Sequence, residues 1–165
     1  MKKIKDPILL GIVAGLTGNL LKDIGDMINT RLGISKTSYS RVAAGLFMNK
    51  KQTESSLGKT VGWLTDAAIG AGLGVGFVYI LKFTGKDHAL MKGVGYSHGA
   101  WTLFLGGANK LMVESVYPQD PKTILSQYAT HTLYGIGAAF SATTFGDEDM
   151  FTKEDIKSEN GLTVK

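Results

Sequence analysis

Three ionisable residues, Asp66, His98 and His131, lie inside segments that are otherwise apolar. Burying an ionisable side chain among apolar helices is unfavourable, so each is a candidate functional group. Asn19 places a polar amide in the first such segment. Because histidine changes its charge near neutral pH, these four side chains predict an intramembrane polar line that passes protons or a small ion. The sequence favours a simpler interpretation, in which they form hydrogen bonds between helices.

Residues 95–99 match the G-x-S-x-G pattern of serine hydrolases, with Ser97 in the place of the nucleophile. Asp120 and His131 follow in the order serine, acid, histidine that α/β-hydrolases use. That site needs a strand before the serine, a helix after it and a parallel sheet around it. The preceding residues make no convincing strand, and the chain is rich in glycine. We therefore interpret the match as coincidental and predict no catalytic residues and no enzyme activity.

The sequence predicts no cofactor or metal site. The chain has no cysteine, and its three histidines form neither an i, i+4 pair nor an H-E-x-x-H motif. The glycine-rich run at 70–76 is similar to a phosphate-binding loop, but such a loop needs a strand before it and a helix start after it. Here both flanks are apolar, so we reject a nucleotide site.

The distribution of charge predicts the elements that position these residues. Of the 165 residues, 19% are charged, below the roughly 25% of average soluble domains. A membrane-spanning helix needs about 20 mostly apolar residues. Segments of that kind recur at about 7–28, 60–82, 90–110 and 123–146. A soluble bundle would show a polar stripe on each helix, whereas the last three segments have no charged stripe. We predict an all-α, polytopic four-helix transmembrane bundle.

The 22 glycines are concentrated in these segments. Helices in lipid gain no hydrophobic drive from meeting one another, so small residues that let backbones approach become the packing surface. Each predicted span carries such residues, which predicts close packing and self-association into a homo-oligomer. The predicted helix-packing glycines are Gly11, Gly15, Gly62, Gly70, Gly72, Gly76, Gly95, Gly99 and Gly135.

Two polar segments complete the predicted organisation, a membrane domain at 1–146 and an acidic polar tail at 147–165. Between the first two spans, apolar residues at helical spacing predict a short interfacial helix at about 38–48. Arg41, Lys50 and Lys51 near it would contact anionic lipid headgroups. The alternative is an ordinary helix packed on the end of the bundle. Because the basic residues cluster in a loop between spans, acidic lipid is a better partner than nucleic acid.

The sequence leaves the orientation of the bundle open. Four spans place both termini on one side of the membrane, and the lysines and arginines divide equally between the two sides, so the positive-inside rule gives no answer. The short basic start and the motif His131-Thr-Leu-Tyr-Gly135 in the last span are similar to the small four-span bacterial inner-membrane proteins of the YqhR- and YagU-like kind. The resemblance implies a bacterial membrane location and assigns neither an activity nor a site.

These observations predict an integral membrane protein, in the bacterial cytoplasmic membrane or a membrane-derived assembly, that is not an enzyme. The favoured role is a self-associating structural or scaffolding component that organises membrane. The second candidate is a small proton- or ion-conducting carrier that uses Asp66, His98 and His131. The third is a membrane-embedded serine hydrolase built on Ser97.

Overall fold

The computed structural model describes residues 3–110 and 120–151. The described chain is helical. Its described residues contain one isolated β-bridge, between Ile4 and Gly146, and no β-strand. The helical fold class is therefore confirmed. Six α-helices and one turn of 3₁₀-helix follow one another: α1 (Pro7–Arg31), α2 (Tyr39–Ala44), α3 (Lys50–Thr53), α4 (Ser56–Thr84), α5 (Ala89–Lys110), α6 (Pro121–Phe145) and the 3₁₀ turn (Glu148–Phe151).

The helices α1, α4 and α6 each begin at a side chain that caps them. Asp6 accepts a hydrogen bond of 2.7 Å from the backbone N–H of Leu9, and Ser55 accepts one of 3.0 Å from that of Gly58. Such caps satisfy backbone donors that the first turn leaves unpaired. The helix α1 begins where the predicted span begins and extends past it only at the C-terminal end, whereas α4 extends past the predicted span at both ends.

Two helices of the described chain, α1 and α4, are long and apolar enough to cross a membrane. The helices run up and down in turn, and α1 packs along both α4 and α6, while α5 packs along α6. Glycines allow these approaches. A Cβ atom on Gly74 would lie closer than 3.0 Å to the backbone of both Gly11 and Gly15, a separation that real Cβ atoms essentially never show.

Six of the nine predicted packing glycines lie against a neighbouring element, and three do not. The six are Gly11 (beside Val75), Gly15 and Gly70 (at the α1–α4 contact), Gly62 (beside Ser40), Gly76 (beside Tyr96) and Gly135 (beside Gly93). A Cβ atom added at Gly72, Gly95 or Gly99 would meet no described atom of a neighbouring element within 4 Å. Those three glycines are on open faces of α4 and α5.

The helices α4 and α5 are joined by a short turn, in which Gly85 has a φ of +79°. They contact each other near this turn, where the rings of Phe77 and Tyr96 are 5.7 Å apart. Farther from the turn the two helices diverge, and α5 stays on α6 instead. The two helices are therefore antiparallel neighbours only near the turn, and a cleft opens between them beyond it.

The predicted interfacial helix is shorter than expected, since α2 ends at Ala44. Tyr39, Ala43 and Ala44 are buried against the bundle, whereas Phe47, in the turn that follows, is largely exposed. This arrangement agrees with a helix packed on the end of the bundle. The predicted tail begins inside the described chain, and its residues 152–165 lie outside it.

Candidate functional site

A buried ion pair joins α1 to α4. The Nζ atom of Lys22 lies 2.8 Å from both carboxylate oxygens of Asp66. The amide of Asn19 donates a further hydrogen bond of 3.1 Å to the same carboxylate. Lys22 is 3% exposed and Asp66 is 7% exposed. An ion pair removed from solvent to this extent is stable only with good geometry and additional hydrogen bonds, and both are present here.

Glycines explain why the two partners meet. Asn19 and Lys22 are three residues apart on α1, so they share a face of that helix. Asp66 is four residues from both Gly62 and Gly70, and a Cβ on Gly70 would lie 2.9 Å from that of Asn19. The helices therefore approach closely enough for side chains from the two backbones to bond directly.

Two more carboxyl groups stand beside the pair. Asp23 lies 3.4 Å from the Lys22 Nζ atom, and the Asn19 amide bridges Asp23 and Asp66 with hydrogen bonds of 3.1 Å to each. Asp26 is buried and accepts a hydrogen bond of 3.0 Å from the backbone N–H of Tyr39. The cluster thus holds three carboxyl groups and one ammonium group.

Tyr39 connects this cluster to His131. The Lys22 Nζ atom lies 4.3 Å from the centroid of the Tyr39 ring, a cation–π distance. The Tyr39 hydroxyl donates to the carbonyl oxygen of Gln127 and lies 2.7 Å from Nδ1 of His131. That carbonyl oxygen is also 3.1 Å from Nδ1.

The neighbours of Nδ1 fix the tautomer of His131. The Tyr39 hydroxyl directs its one proton at the Gln127 carbonyl oxygen, so both oxygens near Nδ1 can accept, and we assign the proton of the neutral ring to Nδ1. The other ring nitrogen, Nε2, then carries a lone pair. No described residue forms a hydrogen bond with Nε2.

An open cleft of about 100 Å³ lies beside the cluster. Its floor is formed by α1 and α6, its two sides by α4 and α5, and one end by α2. The exposed side chains of Leu46 and Phe104 stand at its mouth. The polar lining residues are Asn19, Lys22, Tyr39, Asp66, Gln127 and His131, and the others are Val42, Ala43, Leu46, Ile69, Gly70, Leu73, Ala100, Trp101, Phe104 and Tyr134.

The cluster lies well inside the bundle. Lys22 is nine residues before the end of α1, and Asp66 and His131 are each ten residues after the start of their helices. At a rise of about 1.5 Å per residue, all three lie about 15 Å from the same end of the bundle.

The structure brings together three of the four residues of the predicted polar line and leaves one apart. Asn19, Asp66 and His131 all line the cleft. His98 does not, because its Nε2 atom lies 3.0 Å from the hydroxyl of Thr132 and its ring stacks on Tyr128 at 4.1 Å. The expected line from Asp66 through His98 is therefore not formed.

Sequence reasoning missed Lys22 and Tyr39 as members of the cluster. A signal for Lys22 was present, since it follows Asn19 by three residues and a lone carboxylate in an apolar helix needs a cation near it. No signal marked Tyr39, because α2 reaches the cleft only through the tertiary fold.

Ser97 is not placed as a nucleophile. It lies within α5, not at a strand-to-helix turn, and it is buried. Its hydroxyl donates to the carbonyl oxygens of Val94, at 2.9 Å, and His131, at 2.8 Å. Asp120, the expected acid, instead caps α6, where its carboxylate accepts from Lys122 and Thr123.

The electrostatics of Asp120 agree with a structural role as a cap. Desolvation raises the pKa of its carboxyl group, but hydrogen bonds from Thr123 and the nearby Lys36 ammonium outweigh that effect and hold the pKa below its usual range. Lys36 lies 3.4 Å from the carboxylate and ties the loop after α1 to the start of α6.

The candidate headgroup residues differ in their surroundings. Arg41 forms an ion pair with Glu54, and Lys50 and Lys51 are exposed at the start of α3.

Within residues 3–110 and 120–151, no group of three or more His, Cys, Asp or Glu side chains is arranged to hold a metal ion.

No protein-family model, no curated protein and no solved structure matches this chain. Its function is therefore inferred from the cluster and the cleft.

Proposed function

We propose that the chain is an integral membrane protein in which α1, α4, α5 and α6 each span the bilayer. Large apolar side chains point outward along the whole length of α1, while its charged and amide side chains at 19, 22 and 26 point inward. A soluble monomer rarely exposes so long an apolar surface. The exposed apolar residues of α1 are Ile8, Leu9, Ile12, Leu16, Leu20, Leu21, Ile24, Met27 and Ile28.

Within that membrane domain, the function supported best is that of a small proton- or ion-conducting carrier. The observation that carries it is the buried Lys22–Asp66 pair beside an open cleft. Ionisable groups inside a membrane are rare and mark ion pathways and proton relays. A purely structural contact between helices would not need a third and a fourth ionisable group, Asp23 and Asp26, around it.

The geometry supports a simple exchange at Asp66. While Asp66 is ionised, its carboxylate is neutralised by the Lys22 ammonium at 2.8 Å. When a proton or small cation binds the Asp66 carboxylate, the ammonium group can transfer its interaction to Asp23, which already lies 3.4 Å away. The bound charge thereby replaces the lysine at Asp66, and the ammonium group is never left unpaired in a medium of low dielectric constant.

Proton flux into liposomes that contain the purified full chain tests this proposal. We expect flux driven by a pH gradient, and we expect Asp66→Asn to abolish it because the amide cannot take up a proton. His98→Gln is the matched control, since His98 lies outside the cluster, and it should retain the flux. Absence of flux in the unmodified chain, or equal flux in the Asp66→Asn variant, would rule out proton conduction.

A second candidate function, self-association as a structural or scaffolding component, is favoured by a separate observation. Gly95 and Gly99, four residues apart on α5, have open space around them, as does Gly72 on α4. Small residues at this spacing are a common contact surface between helices in lipid. Native mass measurements in detergent and in lipid test it. We expect an oligomer that Gly99→Leu dissociates, whereas a monomer in both media would contradict it.

The membrane location and lipid contacts follow from the same proposal. We place the chain in the bacterial cytoplasmic membrane or an assembly derived from it, as the sequence resemblance implies. Arg41, Lys50 and Lys51 lie at the end of the bundle that carries α2 and α3, where they would contact anionic headgroups.

A further inference from the structure

The polar groups that line the cleft can accept a further hydrogen bond, but their own donors are already used. The Lys22 ammonium already faces three carboxylate oxygens, and the Asn19 amide donates to two carboxylates. In contrast, Nε2 of His131 has a lone pair and no partner among the described residues. His131 is 8% exposed and lines the cleft. A ligand that fits this site must therefore bring a donor.

The charge around the cleft favours a cationic donor. Within the part of the chain that the structure describes, Lys22 is the one ammonium group in the cluster, and it lies 2.8 Å from the carboxylate of Asp66 and 3.4 Å from that of Asp23. Asp26, which accepts a hydrogen bond from the backbone N–H of Tyr39, adds a third carboxyl group, so carboxyl groups outnumber ammonium groups in the cluster. Trp101 and Tyr134, two further aromatic residues of the lining, can add cation–π attraction, which acts within about 6 Å of a ring centroid.

The size and lining of the cleft indicate what the ligand carries besides its donor group. A volume of about 100 Å³ has room for a head group and a few methylene groups, since a cavity needs only about 10–15 Å³ to hold a water molecule. Apolar side chains line most of the path from the floor to the mouth at Leu46 and Phe104. A longer alkyl tail would leave through that mouth and, in a bilayer, would lie among the lipid chains.

We propose that this cleft binds the ammonium head of a lipophilic amine, with the head beside Asp66 and His131 and the tail between α4 and α5. This proposal rests on the proposed carrier function in one respect: it names a ligand, other than a proton, for the same Asp66 site. The ammonium group would donate to Nε2 of His131 and be attracted by the surplus carboxyl groups, while the tail gains apolar contact with Trp101 and Phe104.

The chain supplies its own reporter for a binding experiment. It has two tryptophans, Trp101 in the cleft and Trp63 on the exposed side of α4. In a Trp63→Phe background, the tryptophan emission of the reconstituted full chain comes from Trp101 in the cleft alone. Octylamine, octanol and octanoate have the same tail and different heads, so titrating each isolates the contribution of the head group.

We expect octylamine to change the Trp101 emission saturably, octanol to bind at least about tenfold more weakly, which corresponds to about 1.4 kcal/mol, and octanoate not to bind. Asp66→Asn should weaken octylamine binding by about tenfold or more. Because that variant could unfold, Asp23→Asn serves as a second test, since it removes one surplus carboxylate and keeps the Lys22–Asp66 pair. It should weaken binding severalfold, and Phe140→Ala, on the exposed side of α6, should not.

The ligand proposal and the carrier proposal can be contradicted independently of each other. Equal affinity for octylamine and octanol, or binding unaffected by both carboxylate variants, would overturn the assignment of the ligand even if Asp66-dependent proton flux is present. Selective octylamine binding without any proton flux would support the ligand assignment and contradict the carrier.

Discussion

The ammonium group of Lys22 lies 2.8 Å from both carboxylate oxygens of Asp66, and the two residues come from α1 and α4. This pair joins two helices of the fold, and its carboxylate is also the proposed site of proton exchange. It is buried beneath a helix surface that is apolar on the outside, and it borders the cleft that separates α4 from α5.

Breaking the pair on one side should destabilise the fold more than removing it altogether. Lys22→Met leaves the Asp66 carboxylate uncompensated, and we expect a loss of about 3–5 kcal/mol in the free energy of unfolding. The double variant Lys22→Met/Asp66→Leu leaves no charge behind and should recover most of that stability. Unfolding by increasing SDS in mixed micelles measures both. A double variant that is less stable than Lys22→Met would show that the pair itself holds the helices together.

The close approach of α1 and α4 should make two neighbouring glycines behave in opposite ways. Gly74→Ala places a methyl group against the backbone of Gly11 and Gly15, and we expect it to destabilise the fold by about 1–3 kcal/mol. Gly72→Ala, two residues earlier, meets open space and should raise stability by about 0.5–1 kcal/mol through its helix propensity. The same SDS titration compares them, and equal effects would contradict the described packing.

The proposed membrane location can be tested with single cysteines, because the natural chain has none. Leu16 and Lys51 are both exposed in the protein alone, but lipid would cover Leu16. In membranes opened to both sides, a membrane-impermeant maleimide should label Lys51→Cys rapidly and Leu16→Cys only after SDS is added. Labelling of both at the same rate before SDS would place α1 in water.

Ser97 should be inert toward a fluorophosphonate probe. Its hydroxyl is buried inside α5 and donates to two carbonyl oxygens, and no general base contacts it among the described residues. Mass spectrometry of the probe-treated chain measures labelling, with Ser97→Ala as the control. Labelling that is lost in that control would reinstate the hydrolase.

The helices could be predicted from sequence because the residues that end them lie next to the helix boundaries in the chain. Charged residues end the apolar segments, and capping residues such as Asp6 and Ser55 stand just outside them. The position of Asp66 at a helix contact was predictable for the same reason, since Gly62 and Gly70 flank it at helical spacing. These are all relationships within a single helix.

The composition of the site was less predictable, because it depends on which helices become neighbours. Tyr39 reaches His131 across 92 positions of sequence, and no periodicity within α2 or α6 encodes that contact. His98 has the same residue type and a similar apolar setting as His131, yet it faces Thr132 and Tyr128. The divergence of α4 from α5, which opens the cleft, also arises only from how α5 packs on α6.

Proton flux through liposomes that contain the Lys22→Met/Asp66→Leu variant shows whether the buried pair conducts protons, because this variant should fold while lacking the exchangeable group. Its flux is compared with that of the unmodified chain and of Phe140→Ala, each checked for folding in the same preparation. We expect flux in the unmodified chain and in Phe140→Ala, and none in the folded double variant. Equal flux in all three would contradict this expectation, as would the absence of flux in the unmodified chain.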